Sequence, residues 1–294
     1  MISDRVCAIV VSFHPDEKVH ENLALLRDQT DAVVVVDNGS SDAEVVSLRA
    51  AAQSLDLVLI ENGANLGIAT ALNQGIRWAI GDSQASHFDW IILFDQDSRV
   101  TPGFVATLVA AFQSSPWGEK LGILVPIYTD NRFGVPIRSN KVRHGLEAAM
   151  TSGSLLRAET FTHCGFFIDA LFIDGVDYEF SLRLRRRGYI IDECPNAVLL
   201  HSPGEPIRHK LLGFNYQTAN YSPIRRYYQE RNKVWIARRY FLRFPVFCAK
   251  LFFFSVKDFT KILIAEDNKP PKIRYFLRGL LDGLRERMGK LASH

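Results

Sequence analysis

Asp95 and Asp97 stand two residues apart, directly after the apolar run Trp-Ile-Ile-Leu-Phe. A buried strand ending there delivers both carboxylates to the edge of a sheet, where two hard oxygen donors suit Mg²⁺ or Mn²⁺ shared with phosphate oxygens. An Asp-x-Asp taken alone is also an ordinary solvated turn. Further along, Asp174, Asp177 and Glu179 crowd three acids into six positions ahead of an arginine-rich, helix-patterned run. Two readings stand side by side there: first-turn acids that complement a helix dipole, or a carboxylate that removes a proton from an acceptor hydroxyl. His201 closes the apolar run 198–200. A lone histidine in that position is ordinarily structural, and becomes a third ligand only if a metal occupies the same sheet edge.

The elements that must position these groups are short apolar runs alternating with helical patterns, the arrangement of a doubly wound α/β sheet. Strands are predicted at 6–11, 33–36, 57–60 and 90–94. Leu66, Ala69, Leu72, Ile76 and Ile80 recur at helical spacing between the last two, with Asn65 expected as N-cap. Ser12 follows the first strand, Asp37-Asn-Gly-Ser the second and Asp95-Gln-Asp-Ser the fourth. The carboxyl ends of parallel strands form the ligand crevice of such sheets, so these polar residues are expected to converge. Asp-Asn-Gly-Ser is equally good turn chemistry. Downstream, 122–128 and 151–156 are strand-like and 178–187 is helical.

Bulk properties bound the class. The 294 residues are 47% apolar and 23% charged, enough to bury a core in one large or two small domains. Cys7, Cys164, Cys194 and Cys248 are far apart and form no Cys-x-x-Cys pair, which fits a reducing compartment without a disulfide framework or zinc site. The N-terminus shows no secretory pattern. The net charge of +3 conceals a division: 221–294 carries 17 Lys+Arg against 6 Asp+Glu, or +11, leaving −8 on 1–220. A basic segment of this kind calls for a polyanionic partner, nucleic acid or an anionic membrane surface.

The three constellations, in this order and at these separations, resemble glycosyltransferase family 2. Val-Asp-Asn-Gly-Ser, the run from Asn65 to Gly75, Phe-Asp-Gln-Asp-Ser, Thr151-Ser-Gly-Ser-Leu and Phe-Ile-Asp-Gly-Val-Asp-Tyr-Glu-Phe are similar to the bacterial rhamnosyltransferases of that family. The resemblance runs over about residues 6–240. It implies a GT-A nucleotide-diphospho-sugar transferase fold: a mostly parallel central sheet flanked by helices over 1–220, with a C-terminal helical extension over 221–294. It implies a nucleotide-diphosphate sugar donor, with Asp37 hydrogen-bonding the pyrimidine base, Ser12 and His14 close to the nucleotide, and Asp95 on the ribose or the metal. Asp97 becomes the principal ligand of Mg²⁺ or Mn²⁺, and His201 matches a metal-binding histidine of some members. Asp177 falls at the catalytic base of an inverting, single-displacement transfer. The residue before it is Val176, where the family pattern has an acid, so the motif is half matched, and Asp174 or Glu179 is a candidate to share acceptor binding. Ser152 and Gly153 are candidates for contact with the acceptor or donor sugar. Arg225, Arg226, Tyr228 and Arg231, in Arg-Arg-Tyr-Tyr-Gln-Glu-Arg-Asn, are either diphosphate donors or one face of a solvated helix.

Transfer of L-rhamnose from dTDP-L-rhamnose to a lipid-linked O-antigen or polysaccharide precursor is the expected reaction. A UDP-hexose donor, a surfactant glycolipid product and an inactive nucleotide-binding scaffold are the alternatives. A nucleotidyltransferase would carry a glycine-rich loop after the first strand, and Val10-Val-Ser-Phe-His-Pro has no glycine. The longest apolar window of the C-terminal region, 244–256, is 13 residues and contains Lys250, short of the roughly 20 apolar residues of a spanning helix. Aromatics interleaved with Lys and Arg fit instead a helix lying in the interface, with the protein peripheral on the cytoplasmic face of the membrane. A helical hairpin packed on the catalytic domain, or on a second subunit of a homo-oligomer, is the other reading. Nucleic acid is not expected, because no binding motif is present and the apolar content is high.

Overall fold

The computed structural model describes residues 4–81, 87–130, 135–136, 144–201, 207–211, 214–218 and 220–292. It divides into two compact units: 1–168 with 180–202, and 169–179 with 203–294. Two segments of 1–220, 169–179 and 203–220, group with the C-terminal helices. The acidic segment 169–179 does so because the side chains and backbone groups that hold it come from there.

In the first unit, four parallel strands follow the chain alternation. They are β1 (Val6–Ser12), β2 (Ala32–Asp37), β3 (Val58–Glu61) and β4 (Trp90–Asp95), ordered β3-β2-β1-β4. Every residue of β1 is buried, which is why the strand reads as a continuous apolar run rather than an alternation. The crossovers are α1 (Lys18–Arg27), α2 (Asp42–Leu55) and α3 (Ile68–Ala79). One face of the sheet packs Ala8, Val10, Val33, Val35 and Ile92 against Leu23 and Leu26 of α1 and against Phe104 and Leu108 of α4 (Phe104–Gln113).

Past β4 the sheet changes character. β5 (Arg99–Val100) forms the far edge. Between it and β4 lie β6 (Leu121–Asp130), β8 (Leu155–Arg157) and β9 (Ile190–His201), in the order β4-β8-β6-β9-β5, while β7 (Val135–Pro136) pairs with β6. β6 and β9 run parallel over the longest register of the sheet, and β8 is antiparallel to both β4 and β6. Nine strands thus form one mostly parallel sheet among the described residues. The sequence expectation of a strand from 151 is corrected: Thr151–Ser154 is a turn closed by Ser154 N–H donating to Thr151 O, and only three residues of β8 follow it. α5 (Glu159–Cys164) and α6 (Val176–Arg186) complete the unit, and the first residues of α6 are counted with the second one.

The second unit contains the hairpin β10 (Ile207–Leu211) and β11 (Phe214–Thr218) and the helices α7 (Pro223–Tyr240), α8 (Pro245–Ile264) and α9 (Lys269–Leu284). Ser222 caps α7 by accepting from Arg225 N–H at 3.3 Å, with Pro223 in the first turn. Gly283 of α9 lies against α7 so closely that a Cβ there would meet Val234 Cβ at 2.9 Å. A glycine at that position lets the two helices approach.

Candidate active site

Strand register builds the edge where the chemistry was expected. Ser12 pairs with Asp37, Asp37 with Glu61, and Val11 with Asp95, so the carboxyl ends of β1 to β4 present their polar residues in one row. Asp37 is buried. Its Oδ2 accepts from Gly39 N–H and Ser40 N–H, both at 3.1 Å, and Oδ1 accepts from the Ser40 hydroxyl, so the loop fixes the carboxylate's orientation. Both sequence readings of Asp-Asn-Gly-Ser therefore meet in one residue: a turn former that also stands in the row. The hydroxyl of Ser12 beside it is fully buried and has no hydrogen-bond partner among the described residues, an unusual situation for a buried polar atom and one that a ligand resolves.

His14 sits at φ +49° with its backbone N–H donating to Ser40 Oγ at 3.0 Å and its Nδ1 2.8 Å from Glu44 Oε2. Glu44 also accepts from Ser41 N–H and Oγ, each at 2.7 Å. These bonds, those of Ser41 foremost, draw its carboxyl down from 4.5 to about 2.

The Asp95–Asp97 turn is held from below. Asp95 N–H donates to Ser152 Oγ at 3.2 Å, Ser152 Oγ lies 2.6 Å from Ser98 Oγ, and Tyr128 OH donates to Ser152 O at 2.8 Å. Gly153, at φ +77°, donates its N–H to Leu93 O. Ser152 and Gly153 are both buried, and their contacts run to the acidic turn and to β4. Asp97 is exposed and Asp95 half-buried. The His201 side chain lies outside the described residues. Its backbone pairs with Asp130, and Leu200 pairs with Arg99, which brings that strand end beside the Asp95–Ser98 turn.

In the second unit, helix α7 grips the acidic segment. Asn232 Nδ2 donates to Leu171 O, Ile173 O and Asp174 O at 2.9, 2.8 and 2.7 Å, and Arg231 Nη2 donates to Ala170 O and Leu171 O at 3.1 and 2.9 Å. Tyr228 stacks on Phe172 at 4.8 Å and accepts from Leu291 N–H at 2.7 Å. Arg226 is ion-paired with the buried Glu266. Arg226, Tyr228 and Arg231 are all buried, and a buried guanidinium or phenol requires fixed partners, which each finds within the protein. Arg225 makes a two-pronged pair with Asp174 at 3.2 and 3.3 Å and covers the Tyr221 ring. Glu179 is buried and accepts from Tyr240 OH at 2.7 Å. Asp177 is half-buried at the second position of α6, its Oδ1 2.8 Å from Tyr178 N–H.

The model of glycosyl transferase family 2 matches residues 7–172, more than half of the chain. The protein belongs to glycosyl transferase family 2. The chain is 28% identical over 302 residues to the dTDP-rhamnosyl transferase RfbF of Shigella flexneri, with 97% of each chain covered. It is 25% identical over 238 residues, 68% of this chain and 76% of the relative, to the N-acetylglucosaminyl-diphospho-decaprenol L-rhamnosyltransferase of Mycobacterium tuberculosis. Its fold is that of the solved structure of GalNAc-T7 with UDP, GalNAc and Mn²⁺, with a TM-score of 0.60 at 14% identity over 96% of this chain and 56% of that one. The protein is a GT-A glycosyltransferase with rhamnosyltransferase relatives.

In this family 2 enzyme Val176, the residue before Asp177, is 4% exposed. Sequence reasoning missed the amide network behind Asp37. Asn38 Oδ1 accepts from Asn62 Nδ2 at 3.2 Å and from Leu66 N–H at 3.0 Å, while its Nδ2 donates to Asn65 Oδ1 at 3.3 Å. Asn65 is part of this network and accepts from Gly67 N–H at 2.9 Å; Gly67, not Asn65, is the N-cap of α3. Gln96 was also missed. It clips the loop after β1 to the acidic turn, accepting from Phe13 N–H at 2.8 Å and donating to Phe13 O at 3.1 Å. Apolar periodicity carries no signal for such amide pairs.

Proposed function

We propose that the protein transfers L-rhamnose from dTDP-L-rhamnose to a hydroxyl of a lipid-linked saccharide, inverting the anomeric centre, in the assembly of an O-antigen or another polysaccharide. The observation that carries the donor is the full-length similarity to a dTDP-rhamnosyl transferase. The acceptor class is supported by the second relative, whose name specifies a diphospho-decaprenol acceptor. The exposed Phe241, Leu242, Phe252 and Phe253, set among Arg and Lys, support peripheral contact with the cytoplasmic face of a membrane.

Asp37 accepts the imide proton of the pyrimidine through lone-pair capacity that its loop leaves over. The nucleotide supplies the Ser12 hydroxyl, next to Asp37 in register, with the partner that its burial demands. The oxygen donors of the acidic turn fit a hard divalent cation: Asp97 is exposed, Asp95 adjoins it, and His201 ends the neighbouring strand. Among the described residues no group of three His, Cys, Asp or Glu side chains gathers, so Asp97 and His201 would hold Mg²⁺ or Mn²⁺ together with donor oxygens. When bound, the ion offsets charge growing on the leaving diphosphate. Asp177 takes the acceptor proton as the acceptor oxygen bonds to the anomeric carbon. The bond from that carbon to the diphosphate breaks, and its electron pair leaves with the phosphate.

Incubating the purified chain with a panel of nucleotide sugars tests the donor: dTDP-rhamnose raises the melting temperature and a UDP-hexose does not. The reverse result overturns the assignment. Asp177→Asn lowers kcat by about 10²- to 10⁴-fold, while dTDP-rhamnose protects the variant as well as the parent.

A further inference from the structure

The parallel register of β1 and β4 ends at the pair Val11 and Asp95. Just beyond it, the Gln96 carboxamide accepts from Phe13 N–H at 2.8 Å and donates to Phe13 O at 3.1 Å. That is the two-bond exchange of a hydrogen-bonded sheet pair, made by a side chain instead of a strand. We propose that Gln96, set between the acids Asp95 and Asp97, is a positioning residue for the nucleoside: it fixes the loop after β1 and thereby raises affinity on the Asp37 side of the site. The inference rests on the nucleotide reading of Ser12 and Asp37 above.

Packing does little to hold this loop. Phe13, His14, Asp16 and Glu17 are all exposed, Phe13 at 42%, so apolar burial contributes little there and hydrogen bonds decide its path. His14 has φ +49°, a conformation that a residue other than glycine keeps only where its surroundings enforce it. On one side of it stands the Gln96 clip. On the other, His14 N–H donates to Ser40 Oγ at 3.0 Å, His14 Nδ1 lies 2.8 Å from Glu44 Oε2, and Ser40 N–H donates to Asp37 Oδ2 at 3.1 Å. Gln96 is itself anchored, because its backbone carbonyl accepts from Nδ2 of the buried Asn22 in α1 at 3.1 Å. A line of bonds thus runs from α1 through Gln96, Phe13, His14 and Ser40 to the Asp37 carboxylate, beside the buried Ser12 hydroxyl. Without Gln96 the strained His14 is held from the Ser40 and Glu44 side alone, and a loop that must be ordered on binding lowers affinity. The residue type is also fixed: a backbone N–H only donates and a carbonyl only accepts, so Phe13 needs an acceptor and a donor from one planar group, and a carboxamide supplies both.

Thymidine is the probe, because it carries no phosphate to the acidic turn and no charge. In ligand-observed NMR titrations of the full chain with a chelator present, Gln96→Ala is expected to weaken thymidine by about three- to tenfold, the net worth of a neutral hydrogen bond, with a melting temperature close to the parent's. Amide hydrogen exchange at Phe13 accelerates in the same variant. Gln96→Glu keeps the acceptor for Phe13 N–H but sets a carboxylate oxygen against Phe13 O, and it too weakens thymidine. Arg99→Ala breaks a surface pair from the same turn to Glu21 of α1, 2.7 Å long, and leaves thymidine affinity at the parental value. Parental affinity in either Gln96 variant, unchanged exchange at Phe13 in Gln96→Ala, or an equal weakening in Arg99→Ala would overturn the proposal, the last in favour of a general loosening of the turn. A parent that binds uridine and not thymidine refutes the proposed donor alone, and the same comparison then holds with uridine. A parent that binds neither nucleoside refutes both.

Discussion

Ser41 and Glu44 show how one residue's hydrogen bonds set the behaviour of another at the nucleotide-side loop. Glu44 accepts from the backbone and hydroxyl of Ser41 and pairs with His14, and its carboxyl lies at about 2 instead of 4.5. A carboxyl depressed on folding stabilises the native state fully above its unfolded value, and that contribution disappears as pH falls through the folded value. The window is therefore from about 4.5 down to about 2. A carboxyl ¹³C titration is expected to place the Glu44 midpoint near 2 in the parent and to move it upward in Ser41→Ala, since Ser41 is the larger cause. A parental midpoint at 4.5 would contradict the capping geometry.

At the scale of elements, the site depends on two loops crossing at the end of β2. Gly39 has φ +97°, and a Cβ there would meet the Ala64 carbonyl carbon at 2.5 Å and Asn65 N at 2.6 Å. Backbone cannot give way as a flexible side chain would. Gly39→Ala is expected to cost about 1–3 kcal/mol in chemical denaturation and to weaken nucleotide binding more than Ser54→Ala on the same crossover. Equal nucleotide affinity in the two variants would separate the loop crossing from the site.

The second unit folds around polar contacts as much as apolar ones. Arg226, Glu230, Arg231 and Asn232 of α7 are all buried, and Arg231 and Asn232 hold the 170–174 backbone. Replacing Arg231 by Met leaves those carbonyl groups short of a donor and is expected to destabilise by about 3–5 kcal/mol, read as a lower urea midpoint. A loss under 1 kcal/mol would mean that Asn232 alone suffices. Across the described residues no helix is long and apolar enough to cross a membrane. Membrane association, as proposed, then rests on exposed aromatics and cations. The pair Phe252→Ser and Phe253→Ser is expected to reduce co-sedimentation with anionic vesicles by roughly tenfold, the loss of two interfacial aromatics. Undiminished sedimentation would assign that surface to protein contact.

Three of the four parallel strands, β1, β2 and β4, were legible because a strand buried on both faces must be apolar throughout and the first polar residue after it marks the sheet edge; the partly exposed edge strand β3 was legible from its short apolar run. Ser12, Asp37, Asp95 and Asp97 were found by that rule. Tertiary structure alone decided what lies beneath them: 151–156 read as strand-like, yet Thr151–Ser154 folds as the turn that supports Asp95. It also decided the burial of Arg226, Tyr228 and Arg231 in α7, a segment whose charges read as a solvated or phosphate-facing helix. A charge pattern states how many polar groups a segment carries. Which of them find partners inside depends on residues some 60 positions away, as the Arg231 contact with Leu171 does, and one-dimensional periodicity does not contain that pairing.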